Sequence, residues 1–288
     1  MGWAIIIGAV IVGAINRLLH ISTEKTSNNW HRLGYWAQGA LAGACLGVLW
    51  WGGIILFLQG NALGIIFISI KGLEVLLTLA SFLRNPSLSV KILLGRYYFD
   101  DFLAHGLMQA CSRFSWETLQ TFIGYCASQC RNFAGHVSRV DYLNGATVAT
   151  LEHSTHHQGF TIGNTINMSI PDKITLPFHQ WHLHSCRMLL HEYGHTLQSQ
   201  ILGPFYLPIV GLPSLLSAAH NKILPNDPLS ASTHSYFFTE IWANRLSSKY
   251  FHNNIGLLWC EIGYPLHNYR NPNQLPANDH SPSKPTVG

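Results

Sequence analysis

Between Arg32 and Lys71 the chain carries no charged residue, a run of 38 positions. As a single helix, rising about 1.5 Å per residue, that run would overshoot the roughly 30 Å hydrocarbon core of a bilayer. Gln59-Gly60-Asn61 breaks it. The sequence therefore predicts two helices, near 35–58 and 62–83, each long and apolar enough to cross a membrane. Gly39, Gly43 and Gly47 stand at i, i+4 and i+8 of the first helix. They form a flat stripe that admits a neighbouring backbone. Lys71 and Glu74, three apart on the second, are spaced to pair with each other. Trp3, Trp36, Trp50 and Trp51 suit a lipid–water boundary. The competing reading is a hydrophobic hairpin buried inside a soluble protein or covered by a partner.

Only 10% of the 288 residues are charged, against about 25% in an average globular domain. With 48% hydrophobic and 12% aromatic content, disorder over most of the length is excluded. A nucleic-acid binder driven by a basic surface is excluded too, since it needs clustered Lys and Arg. The net charge of +4 lies within residues 1–95, and the remainder is balanced. That asymmetry predicts a membrane-active region, 1–95, followed by a neutral globular domain, 96–268. Met1 to Ile15 is apolar but short of a span. Its basic residues come afterwards (Arg17, Lys25, Arg32), which argues against a cleaved signal peptide. From about Tyr269 to Gly288, Asn, Pro and Ser dominate, and that tail has too little apolar content to fold. The six cysteines suggest no disulfide framework and read as buried thiols.

The fold expected is mainly α with a small antiparallel β-sheet. Residues 96–140 read as helix, with Leu103, Leu107, Ala110 and Phe114, then Leu119, Phe122, Ile123 and Cys126, as apolar faces. Between Asp141 and Ile170, Thr, Val and Ile alternate with small polar residues. Asn144-Gly145 and Gln158-Gly159 supply turn chemistry for short strands.

The chemistry concentrates at 187–200, RMLLHEYGHTLQSQ. His191 and His195 leave the same helix face one turn apart. Glu192 follows the first. This is the H-E-x-x-H arrangement: two imidazoles for Zn²⁺, and a carboxylate placed to take a proton from an activated water. A third ligand is needed. Only Asp227, Glu240, Glu261 and Asp279 are acidic after Glu192. Asp279 lies in the tail, Asp227 between prolines, and Glu261 near the chain end. Glu240 sits in the helical pattern YFFTEIWANRLSSKYF among aromatics, where a carboxylate is costly unless paired or metal-bound. It is the favoured third ligand, with His220, His234 and His252 as alternatives. Asn244, one turn on, is placed to support a ligand. For oxyanion stabilisation the candidates are His234, Tyr236, Tyr206 and Tyr193. His234 and Tyr236 are favoured because they lead into the Glu240 helix. His153, His156 and His157, and His179, His182 and His184, read as surface or substrate-rim residues.

The text HEYGHTLQSQILGPFYLPIVGLPSLLSA, followed by FFTEIWANRLS, resembles zincin-type metallopeptidase domains at the ends of bacterial polymorphic toxins and secreted effectors. In these, HEYGH-x-x-Q-S, G-P-x-Y-L…G-x-P-S and T-E-x-x-A-N segments recur together. The strict motif covers residues 187–247. The resemblance implies a zincin-like α+β catalytic domain with His191, His195 and Glu240 on zinc and Glu192 as general base. The function expected is a zinc metallopeptidase, serving as a secreted antibacterial effector delivered into a target cell envelope. Its expected partners are a protein or peptide substrate, a membrane contacted through residues 35–83, and an immunity protein or chaperone. The alternatives are a resident integral-membrane zinc protease, for which the apolar stretch Ile201–Ala218 speaks, or a membrane-permeabilising protein whose zinc domain is structural.

Overall fold

The computed structural model describes residues 2–21, 29–176, 178, 181, 187–223, 234–257 and 264–267. The expectations for His179, His182 and His184, for Asp227, Glu261 and for the tail 269–288 fall outside these residues.

The charge-free run folds as two helices, α2 (Asn29–Leu58) and α3 (Ala62–Arg84), broken where Gly60 takes a positive φ of 69° and Asn61 caps α3. Within them, Gly34–Leu58 and Ala62–Arg84 are long and apolar enough to cross a membrane. The preceding helix, α1 (Gly2–Ile21), lies antiparallel along the glycine stripe of α2. A Cβ at Gly47 would stand 2.8 Å from the Cα of Ile6, so glycine there sets how near the two backbones come.

α3 is not a free span. Lys71 pairs with Glu74 at 2.7 Å, and Glu74 also pairs with Arg96. Arg96 follows the short helix α4 (Pro86–Gly95), which Asn85 caps and Pro86 opens. Two further helices, α5 (Leu103–Arg113) and α6 (Thr118–Phe133), occupy the stretch expected to be helical, with a break between them.

The buried face of α6 departs from expectation. It consists of Gln120, Thr121, Gly124, Tyr125, Ser128, Gln129 and Asn132, while Leu119 and Phe133 are exposed. Part of this polar face is paired there, while the Gln120 amide and the Thr121 hydroxyl are buried without a hydrogen-bond partner. Ser128 Oγ donates to Asn167 Oδ1 at 2.9 Å, Asn132 Nδ2 donates to Ser81 Oγ at 2.7 Å, and Gln129 Nε2 donates to the Tyr125 hydroxyl at 3.0 Å. α5 keeps part of its expected face, with Ala110 and Phe114 buried in the core, but Gln109, Ser112 and Arg113 are buried too and Leu103 is exposed.

The sheet has four strands, β1 (Arg139–Leu143), β2 (Ala146–Leu151), β3 (Gln158–Ile162) and β4 (Thr165–Ser169), in the order β1-β2-β4-β3. The expected all-antiparallel sheet is corrected to a mixed one: β1–β2 and β3–β4 are antiparallel hairpins, but β2 and β4 pair in parallel. The two hairpins lie side by side through their second strands, which run in the same direction. Asn144-Gly145 makes the first turn, both at positive φ. The second turn is at Gly163 (φ 61°), and Gln158-Gly159 belongs to strand β3 instead.

Alternation along β2 and β4 separates the two faces of the sheet. Val148, Ile166 and Met168 join Leu189, Leu190, Tyr193 and Leu197 of α7 (Arg187–Leu202) and Phe251 of α9 (Phe238–Ile255). Val140 and Ala149 turn the other way, to Leu88, Ile92 and Tyr125. The sheet is thus covered on both faces, and α7 is held against it with its motif residues in register. After α7, a short 3₁₀ turn (Gly203–Phe205) and a π-helical turn (Leu207–Gly211) lead into α8 (Leu212–Ile223), bending the path by 118°. Cys45, Cys111, Cys126 and Cys130 are free thiols; the first three are half-buried, but Cys130 is exposed, against the expectation of burial.

Candidate metal centre

α7 presents His191 and His195 with ring centroids 4.9 Å apart, and α9 brings Glu240 to them. Glu240 Oε2 lies 3.1 Å from His191 Nε2 and 3.2 Å from His195 Nε2. Donor atoms held at about 2.0–2.1 Å around a tetrahedral metal are separated by roughly 3.3 Å, so this spacing fits a shared ion. The three residues form the one cluster of potential metal ligands among the described residues, and they can hold a metal ion.

Both imidazoles are fixed from behind. His191 Nδ1 lies 2.6 Å from Asn244 Oδ1, and Asn244 Nδ2 donates to Pro265 O at 2.9 Å. His195 Nδ1 lies 2.7 Å from Gln198 Oε1, and Gln198 Nε2 donates to Thr239 O at 2.7 Å. Each amide is anchored through its nitrogen, so its oxygen must accept from an imidazole Nδ1–H. That arrangement points both Nε2 atoms at Glu240, with a lone pair free for a metal on each imidazole when it is neutral. The other carboxylate oxygen of Glu240 accepts from Ser214 Oγ at 2.7 Å and Thr239 Oγ1 at 2.9 Å.

Burial works against charge here, but the groups compensate one another. Burial disfavours the protonated form of His195, yet the Glu240 carboxylate outweighs it and pushes the pKa up to about 9. Burial likewise opposes ionisation of Glu240, and the two imidazoles hold its carboxyl far below the usual carboxylate range. The carboxylate therefore demands a positive partner, either a proton on imidazole or a cation.

Glu192 stands beside this cluster and outside it. Thr161 Oγ1 of β3 donates to its Oε2 at 2.7 Å. A Cβ at Gly159, on the same strand, would lie 2.7 Å from Glu192 Oε1, so only glycine leaves that carboxylate its place. A cleft opens over the site in two lobes. One, of about 690 Å³, is walled by His156, His157, Met188 and Tyr264. The other, of about 510 Å³, is walled by Phe160, Ile162, Tyr206, Leu207, Leu212 and Leu215. His191, Glu192, His234 and Glu240 line both.

Of the oxyanion candidates, His234 lines the cleft, with its Nδ1 3.2 Å from Ser217 Oγ and its pKa lowered by burial. Tyr206 lines the apolar lobe, and its hydroxyl donates to Thr161 O at 3.1 Å. Tyr193 is buried and donates to Asn144 O, away from the cleft. Tyr236 is not among the residues lining either lobe. His220 and His252, the alternative third ligands, are exposed and lie outside the cluster. His156 and His157 reach the rim, as expected for that group.

Sequence reasoning missed Gln198, Thr161, Ser214 and Tyr264, whose ring is 5.0 Å from that of His191. Gln198 left a signal, three residues after His195 on the same helix, and Ser214 is the serine of the G-x-P-S segment. Compared with known protein families, with curated proteins and with solved structures, the chain matches none.

Proposed function

We propose that this protein is a zinc-dependent metallopeptidase of the zincin type, hydrolysing protein or peptide substrates at a membrane. One observation carries the reading. Two imidazoles with fixed tautomers and one carboxylate converge in a cleft, and a second carboxylate, Glu192, stands beside them without joining them. Two His and one Glu with room for a further ligand are the donor set that suits catalytic Zn²⁺.

When bound, Zn²⁺ would acidify a water molecule and polarise a scissile carbonyl. His191, His195 and Glu240 would hold it. Glu192, positioned by Thr161, takes the proton of the attacking water and delivers it to the leaving amine. Neutral His234, with Nδ1 accepting from Ser217, keeps its Nε2–H to donate to the developing oxyanion. At Gly159 the edge strand β3 offers backbone without a side chain beside Glu192, which lets an extended substrate main chain approach.

The role of a secreted effector delivered into a target envelope, with an immunity protein or chaperone as partner, rests on the motif resemblance. A resident integral-membrane protease is the second reading. It is favoured by the docking of α3, a candidate span, on the catalytic domain through Glu74 to Arg96 and Thr78 to Tyr125.

The test is hydrolysis of a peptide library by the full chain and by Glu192→Gln. Cleavage by the wild type, lost in a variant that keeps its zinc, supports the peptidase. Wild-type protein that is zinc-loaded yet cleaves nothing, or a variant that cleaves as well, contradicts it. An unchanged membrane-permeabilising effect of the variant would move the activity to the N-terminal helices.

A further inference from the structure

α8 is built inside out. Its hydroxyls face inward: Ser214 donates to Glu240 at 2.7 Å, and Ser217 lies 3.2 Å from His234. Its leucines Leu212, Leu215 and Leu216 are exposed by 54%, 65% and 60%, the first two at the wall of the apolar lobe of the cleft. A helix packed against a protein core in water has the opposite arrangement. The outward apolar surface continues through Ile209, Phe205 and Ile201 on the approach to α8. No Asp, Glu, Lys or Arg occurs anywhere from Tyr193 to Asn221.

This surface does not stop at the bend. A Cβ at Gly203 would lie 2.7 Å from Trp116, whose exposed ring stands at the start of α6. α6 turns Leu119 and Phe133 outward and its amides inward. Through its buried side α6 docks on α3, one of the two helices apolar enough to cross a membrane. Exposed apolar side chains thus occur on α6 as well as on the approach to the helix that roofs the metal site.

We propose that the outward face of Ile201–Leu216 lies against a lipid bilayer, so that the apolar lobe of the cleft opens at the membrane. Lipid fits this face better than a second protein. Protein interfaces carry a polar rim with hydrogen bonds about every 100–200 Å², whereas the acyl boundary asks only for apolar surface. An outward face without a charged residue, on a chain that has two helices fit for a bilayer, meets that second demand. The proposal does not depend on what the metal site catalyses.

The test uses the full chain in vesicles of phosphatidylcholine and phosphatidylglycerol that contain a lipid with a photoreactive acyl chain. Labelled positions are mapped by mass spectrometry, with no activity assay involved. Labelling of Leu212, Leu215 and Leu216 is expected at a level comparable with α2 and α3, with background labelling of β2 and β4. In Leu212→Ser/Leu215→Ser/Leu216→Ser, labelling of 201–216 falls to background while that of α2 and α3 is unchanged. These side chains are exposed, so bound zinc and helical content report that the variant is folded. Labelling confined to α1–α3 in the wild type overturns the proposal. Cross-linking of this face to a second copy within the vesicle, without lipid adducts, overturns it in favour of a self-association surface.

Discussion

His191 Nδ1 lies 2.6 Å from Asn244 Oδ1, and the nitrogen of the same amide is tied to Pro265 O. One α9 side chain thus decides which imidazole nitrogen of α7 is left free. Gln198 does the same for His195 through Thr239. Asn244→Ala and Gln198→Ala should each weaken zinc binding by about 10–100-fold while leaving all three ligands in place. Competition with a chromophoric chelator measures this. Unchanged affinity in both variants would remove the orienting role.

Zinc binding should release protons below pH 9. In the metal-free site the Glu240 carboxylate raises the pKa of His195 to about 9, so His195 is protonated at neutral pH. An imidazole must be neutral to ligate a metal, so binding at pH 7 displaces that proton, and binding at pH 10 has none there to displace. Imidazole ¹⁵N NMR should find His195 of the metal-free protein protonated at pH 7 and losing that proton near pH 9, and should find the proton removed at pH 7 when zinc is added. A neutral His195 in the metal-free protein at pH 7 would contradict the assignment.

Gly159→Ala should separate the general base from the metal. The new Cβ would meet Glu192 Oε1 at 2.7 Å, and that carboxylate, the end of a flexible side chain, gives way. Zinc content and melting temperature should stay near wild type while hydrolysis falls. Equal loss of zinc would mean that the strand, and not Glu192, had moved.

The Lys71–Glu74–Arg96 group should matter as a unit. All three side chains are largely buried. Arg96→Met leaves Glu74 with one partner in an apolar setting, and breaking such a pair costs about 3–5 kcal/mol. Replacing all three with Met or Leu should recover much of that loss. Unfolding in detergent, followed through the signal of α3 docking, distinguishes the two variants.

Legibility in the sequence followed the range of the interactions involved. The charge-free run, its break at Gly60 and the i, i+4 spacing of His191 and His195 are local patterns, and each took its expected form. Glu240 could be reached by elimination because acids are so scarce. The parallel pairing of β2 with β4 was not legible, since it arises from how two hairpins are laid together. The buried face of α6 misled for a related reason. Leu119, Phe122 and Ile123 mark an apolar stripe, but hydrogen-bond partners on β4 and α3 draw the opposite face inward. Thr161 and Ser214 reach the carboxylates across 31 and 26 residues of chain; no motif announces Thr161, and the G-x-P-S segment that holds Ser214 does not reveal its contact with Glu240.

The most direct test is the metal content of the purified full chain, as wild type and as Glu240→Ala, by elemental analysis. The account predicts about one zinc per chain in the wild type and little in the variant, because Glu240 supplies the one anionic ligand. A folded wild-type protein that binds no zinc would contradict it, and so would a variant that keeps its zinc undiminished.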